Sequence, residues 1–520
     1  YSALSANTTG DGRNTAIGRA ALSSTTTGNL NTAVGMNAGE AVTTGASNTL
    51  IGGLTGDAIT TGSNNVALGR SALTANTTAS DNTAVGMASL AANTTGASNT
   101  AVGRDALTLN TEGTYNTAVG YESLKTHTTG TLNTAVGYHS LRDATTGYNN
   151  TALGQQTLRQ LTTGYANVGI GDNVAWQGTM TGYANVLIGQ ETGQKHTSAH
   201  NSVGLGYRAL QEVTTGNYNI GIGYLAQSTN STGSASVCVG NQAGQVMTSS
   251  SNVYIGNQAG PLATSGSENV GVGALALANM TSPGSITAVG KNAMRYLTTG
   301  GGNSAFGHAA GLNITTGSSN TYLGNSAGSG VTTGIGNTFL GNSTSPYAVN
   351  SNYNIIAGYA CKGVNVAGYD DDYTFTFGAS TGSDRVYNMF DVNASWTRVS
   401  DVRYKEEITD NTDCGLAFIN DLRPITYKWK PKADIDPSLP DYNPLKTTRK
   451  HEQKMYGLIA QEVKQALDDN NITDFGGWNE IDDGINTISQ EMFIHPLIKA
   501  VQELTALNAA LTTRIEALEG

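Results

Sequence analysis

"NTAVGMNAGEAVTTGASNTLIG", residues 31–52, contains the unit from which most of this chain is made. It opens on Asn31 and Gly35, and the same pattern returns with Asn48 and Gly52, 17 residues later. The motif Asn-x-x-apolar-Gly recurs from Asn14–Gly18 to Asn354–Gly358. Its 21 glycines are separated by 20 intervals: 18 of 17 residues, one of 18 and one of 16. So strict a period is not low complexity; it marks a solenoid of stacked coils. Most of the 66 glycines therefore belong to the repeated coils, and the absence of a three-residue period excludes collagen.

Position by position, the unit predicts how one coil is built. Ile17, Val34, Ile51, Leu68, Val85 and Val102 stand directly before the motif glycine. Most are β-branched, as a pleated strand prefers, and they are expected to face the interior. Four residues after the glycine comes Leu (Leu22, Leu73, Leu90) or a second Gly (Gly39, Gly56), and ten after it the glycine of "TTG" (Gly28, Gly45, Gly62). Glycine tolerates positive φ, so these two sites read as the corners. The motif Asn, replaced only by Ser202, Ser236 and Ile286, reads either as an amide ladder up the stack or as a repeated turn former. One coil carries too little apolar surface to stand alone, so the roll is expected to bury a face against other copies of itself. At roughly 4.8 Å per coil the array spans on the order of 95 Å.

The chain changes character at "WTRVSDVRYKEEI", residues 396–408. Residues 400–520 hold 34 of the 65 charged side chains and six of the nine prolines. A net charge of −11 argues against a nucleic-acid surface. No apolar run is long enough to span a membrane. The seven histidines and Cys238, Cys361 and Cys414 show no ligand or disulfide spacing, so no metal or cofactor is expected. The 17 acidic residues before Ser400 form no repeated pair, which disfavours glycoside hydrolysis. Adjacent threonines on a strand point to opposite faces, which disfavours an ice-binding threonine surface. The chain opens on "YSALSANTTG", a mid-coil sequence, and reads as a fragment whose upstream attachment region is missing.

Residues 359–399 leave the 17-residue clock, and "DDYTFTFGAS" and "RVYNMFDVNASW" alternate like strands of an end cap or tip. The remainder reads as a small α+β module. Its first helix (Leu416, Ile419, Leu422) is stopped by Pro424, a strand follows through Ile425, Tyr427 and Trp429, and "YGLIAQEVKQAL" is a second helix. Residues 431–454 read as an exposed loop. Over about residues 496–520, Leu497, Val501, Leu504, Leu511, Ile515 and Leu518 fall at heptad spacing with Asn508 in the remaining seam position. That pattern predicts a coiled coil whose polar core residue fixes register. The alternative is an amphipathic helix lying on its own domain.

Two resemblances follow from these motifs. Residues 1–358 resemble the head repeats of trimeric autotransporter adhesins and the "NTAVG…AL…NTTG" arrays of phage tail fibres. The resemblance implies a trimeric parallel β-roll. "SDVRYKEEI", "LRPITYKWK", "YGLIAQEV" and the terminal heptads resemble, in order and spacing, the endosialidase-type intramolecular chaperone. That family implies a module, here residues 400–520, that trimerises, assists folding of the β-stalk before it and releases itself by cleavage before its motif serine. The scissile bond would be Val399–Ser400. Ser400 would be the nucleophile and Lys405 its base. In a regular helix Lys405 lies on a different face from Ser400, so the pair needs an irregular turn or a neighbouring chain. Taken alone, "SDVRYKEE" is a helix cap followed by acidic residues.

The sequence therefore predicts a mainly β protein in three parts. Residues 1–358 form the shaft, 359–399 the cap, and 400–520 the chaperone with its coiled coil. The expected function is a homotrimeric viral tail fibre, located in the virion, that binds a host-surface receptor and neither binds nucleic acid nor inserts in membranes. The expected enzymology is a single-turnover autoproteolysis. The alternative is a bacterial cell-surface trimeric adhesin that uses the same module.

Overall fold

The computed structural model describes residues 2–6, 12–364, 372–379, 385–389, 397–398, 406–437, 442, 444–445, 447–448, 454–480 and 486–520. The chain divides into two compact units, Tyr1–Ser400 and Asp401–Gly520.

The first unit is a long parallel β-solenoid. Twenty three-residue strands, β1 (Thr15–Ile17) to β20 (Thr338–Leu340), each precede a motif glycine. Each pairs in parallel with the next at the repeat interval: Ala16 lies opposite Ala33, and Ala33 opposite Leu50. The 18-residue interval leaves this register intact, Val168 pairing Val186 while Met180 bridges back to Leu161. Beyond Gly358 the parallel stack continues one strand further. β21 (Ile355–Tyr359) pairs with β22 (Thr374–Ala379), and Gly378 takes the place opposite Gly358. Two antiparallel strands follow, β23 (Arg385–Met389) and β24 (Thr397–Arg398).

The interior is lined differently from the sequence expectation. In a three-residue strand the side chains alternate, and the middle residue faces inward. Ala33, Leu50, Ala67, Ala84, Ala101, Tyr322 and Phe339 are completely buried. The residue before the glycine faces out instead: Ile17 is 60% exposed, Leu68 45% and Leu323 51%. The leucines four positions after the glycine do line the core, and Leu22, Leu73, Leu90 and Leu107 are fully buried. Each coil thus has an apolar interior of its own, stacked into one cluster over Ala21–Val213 and a second over Ala226–Cys361.

Of the two expected corner sites, the one four residues after the glycine is left-handed and the "TTG" site is not. Left-handed residues occur two, four and twelve positions after the glycine, as at Ala20, Leu22 and Leu30, whether or not glycine is present. The "TTG" glycine is needed because a Cβ on Gly28 would run into the carbonyl oxygen of Gly45, one coil on. The motif glycine needs both freedoms: Gly120 has φ +136°, and a Cβ there would collide with the Gly137 carbonyl. Gly120→Ala is therefore expected to destabilise the shaft by about 1–3 kcal/mol from backbone conformation alone, with steric overlap added. Gly53→Ala meets nothing within 4 Å and is expected to leave the thermal midpoint unchanged. Equal melting of the two variants would contradict this account of the corner.

The motif asparagines form a buried ladder. The Asn116 backbone N–H donates to Asn99 Oδ1 (2.9 Å), and Asn116 Oδ1 accepts from the Asn133 N–H (3.0 Å). Asn116 Nδ2 donates to the "TTG" carbonyl of Gly130 (3.0 Å), tying the two sides of the coil together. Serine keeps part of the ladder, the Asn219 N–H donating to Ser202 Oγ at 3.3 Å. The Ile286 N–H donates to Asn269 Oδ1 at 3.1 Å, but its own side chain offers no acceptor to the next coil.

His196 stands in the same interior column as Val213. It is fully buried, with no hydrogen-bond partner at either ring nitrogen, and burial pushes its pKa down to about 4. Below pH 6.5 the unfolded chain takes up a proton that the folded one does not hold until about pH 4. Stability should therefore fall across that window by up to about 1.4 kcal/mol per pH unit. Denaturant midpoints measured from pH 7 to 4 should show this slope, and His196→Val should flatten it. An unchanged slope in the variant would exclude His196 as its source.

Candidate functional site

Val399, Ser400 and Lys405, the residues expected to carry cleavage, lie outside the described residues, as does Arg403. The helix-cap reading of Ser400 lies there too. The geometry available is that of the module after them.

Its first helix, α1 (Leu416–Asp421), starts at Gly415 without a side-chain cap of its own. The missing acceptor comes from 87 residues away: the Leu416 N–H donates to Glu503 Oε2 at 2.7 Å. A carboxylate at a helix N-terminus satisfies an orphan donor and meets the positive end of the dipole. Gly415 leaves room for it, since a Cβ there would overlap the Glu503 carboxylate. The helix ends before Pro424, and β25 (Ile425–Tyr427) pairs antiparallel with β26 (Met455–Gly457). Tyr456 and Gly457, assigned to a helix from the sequence, thus lie in a strand. The second helix, α2, spans Ala460–Asp469.

The module has a small core of Phe418, Val463, Ala466, Leu467 and Ile472, with Phe475 edge-on to Phe418 at 5.6 Å and Phe493 stacked on it at 6.2 Å. Arg423 Nε donates to Glu462 Oε2 at 3.0 Å and links the end of α1 to α2; that hydrogen bond holds the Glu462 carboxyl below its ordinary value. Cys414 is buried, and burial foremost pushes its thiol up to about 11. It stays protonated and is no nucleophile at neutral pH. A two-stranded pair, β27 (Trp478–Glu480) and β28 (Asn486–Ile488), precedes the last helix, α3 (Ile494–Glu519).

Helix α3 has 26 residues, about 39 Å of helix. One side is occupied: Glu503, Ala506, Leu507 and Ala510 line a groove with Leu416, Ala417 and Asn420 of α1. The heptad seam is not. Leu497, Val501, Leu504, Leu511, Ile515 and Leu518 are 45–81% exposed. Helix α3 thus meets α1 through one face and leaves its heptad positions bare. Sequence reasoning found the seam and missed the anchor, because nothing near Glu503 or Gly415 in the chain signals their contact. Among the described residues no helix is long and apolar enough to cross a membrane, and no group of His, Cys, Asp or Glu is arranged to hold a metal.

Compared with the curated proteins and with the solved structures, the chain finds no match. Against family models, residues 400–472 match the family described as chaperone of endosialidase. The match begins at Ser400 and ends before β27, β28 and α3. The chain thus carries, behind a shaft of 17-residue β-coils, a carboxyl-terminal segment that matches the chaperone of endosialidase family.

Proposed function

We propose that this chain is a homotrimeric viral tail fibre, carried in the virion for host attachment, whose carboxyl-terminal module assembles the shaft and then releases itself. The observation that carries the reading is where the family match starts: at Ser400, where the chain passes from the solenoid unit to the second unit. The bare heptad seam of α3 gives such a module its means of collecting three chains. The outward strand positions give the shaft its means of staying together. Val102, Val119 and Val136 follow one another at the coil spacing on one face of the sheet, alternating with buried alanines. A second and third copy of the shaft would bury this face, as the composition of an obligate interface requires.

Release would proceed at Val399–Ser400. The Ser400 hydroxyl adds to the Val399 carbonyl, its proton passing to Lys405. The C–N bond then breaks as Lys405 returns the proton to the Ser400 nitrogen, and an ester joins the two residues. Water hydrolyses the ester and frees the module. A neutral lysine is needed, and burial on assembly or the neighbouring Arg403 would supply it.

The shaft interface is tested by Val102→Lys with Val119→Lys. Each substitution places a charge in the proposed contact, and such uncompensated burial costs several kcal/mol. Sedimentation should show the wild-type shaft as a trimer and the variant as monomer or aggregate. A variant that sediments as wild type would remove this face from the interface. The cell-surface adhesin reading makes the same assembly prediction and differs in the particle that carries the chain.

A further inference from the structure

The shaft's outward positions are not uniform. Between Tyr1 and Gly103 the sequence has no aromatic residue at all, yet Tyr121 and Tyr138 stand together at one corner of the solenoid, directly after motif glycines 120 and 137. Their rings stack at 5.6 Å and 11°, both about two-fifths exposed. The Arg104 guanidinium lies 5.8 Å from the Tyr121 ring, one coil before, and His139 stacks on Tyr138 at 3.8 Å.

Charge at this corner is layered by depth. The Glu122 carboxylate lies underneath, its side chain only 10% exposed, with Lys125 and Arg142 each at 2.8 Å and His139 Nε2 at 3.1 Å. Burial pushes this carboxyl up, but the hydrogen bonds from Lys125 and Arg142 outweigh it and hold it down at about 2. The cations reach further out: Arg104 is 58% exposed, Lys125 30% and Arg142 28%, whereas Asp105 is 17%. Asp143, 32% exposed, lies 3.5 Å from Arg142 and 3.9 Å from Arg159, so the outer layer is mixed beside Arg142 and most positive at Arg104, next to the exposed tyrosines.

From this arrangement we infer that the corner formed by Arg104, Tyr121, Tyr138 and Arg142 is a recognition site for a saccharide chain bearing carboxylate groups. Guanidinium groups pair with carboxylates in a planar, bidentate way. Tyrosine supplies an amphipathic edge with a hydroxyl, at low entropy cost. Glu122 below fixes Lys125 and Arg142 in place through one donor each, and Arg142 Nη1 lies 3.5 Å from Asp143, a contact that a ligand carboxylate would share or replace. The site lacks a deep cleft, which suits an extended polymer laid across successive coils. The inference rests on the attachment reading and adds to it a place and a ligand class.

The test uses the full chain on an array of neutral and carboxylate-bearing glycans, with Arg104→Gln, Tyr138→Ala and, as control, the exposed Arg70→Gln from the same corner column. The expected result is a preference for carboxylated glycans that both corner variants weaken about tenfold or more, with Arg70→Gln unchanged. Unchanged thermal midpoints of the variants show that the shaft is intact. Binding that ignores carboxylates, or that survives in both corner variants, would overturn the site while leaving attachment standing. Wild-type chain that binds neither any glycan nor any bacterial cell in a panel would overturn the attachment reading as well.

Discussion

Ser400→Ala chains should run as one full-length band on a denaturing gel, while the wild type separates into two pieces. The smaller piece should begin at Ser400 and carry the 121 residues to Gly520. The expected effect is all-or-none, because the substitution removes the atom proposed to take over the Val399 acyl group. Lys405→Ala should behave the same way if the lysine is the base, since an unassisted serine hydroxyl is a poor nucleophile at neutral pH. Cys414, the nearest thiol in the sequence, gives no alternative route: it is buried, and its pKa is raised to about 11. Cleavage should also follow assembly rather than precede it. Wild-type chain that remains intact indefinitely as folded trimer would leave Ser400 as the helix cap its local sequence resembles.

The second large effect concerns the seam of α3. Leu504→Ala with Leu511→Ala removes two apolar side chains from each helix, at about 2–5 kcal/mol apiece once packed, and a trimer loses three of each. Both residues are about half exposed in the single chain, 47% and 57%, so the folded module itself should lose little. The loss should fall on association and then on the shaft, whose coils would no longer be brought together, giving aggregated or misassembled product. Normal yield of soluble trimer from the double variant would show that another element sets the oligomer. Glu503 offers a contrasting case. Glu503→Gln weakens the tie to the α1 N-terminus, and its cost should appear in the melting of the module rather than in chain number.

Much of the solenoid was legible because its signal is repetition. Coil length, strand position and the asparagine ladder all follow from what recurs every 17 residues. What misled was size. The large residue before each glycine looked like the core residue. Strand alternation decides the matter the other way: Ala33 is buried, and Ile17 and Leu68 face out. The corner four residues after the glycine was legible: Leu22 and Gly39 there are both left-handed. The "TTG" glycine misled, because it marks close approach between coils rather than a left-handed turn. In the second unit, periodicity revealed the seam, and the start of a helix after Ile459 rather than at Tyr456 was lost because strand and helix share apolar residues there. The link from Glu503 to Leu416 is long-range, and a single sequence carries no trace of it.

If three shafts are assembled by a module that then leaves, the mature fibre should hold three shortened chains. Mass spectrometry of the purified fibre under native conditions, followed by denaturation, tests it most directly. The account predicts a complex of three identical chains, each ending at Val399. Single chains of the full 53.6 kDa, neither associated nor cleaved, would contradict it.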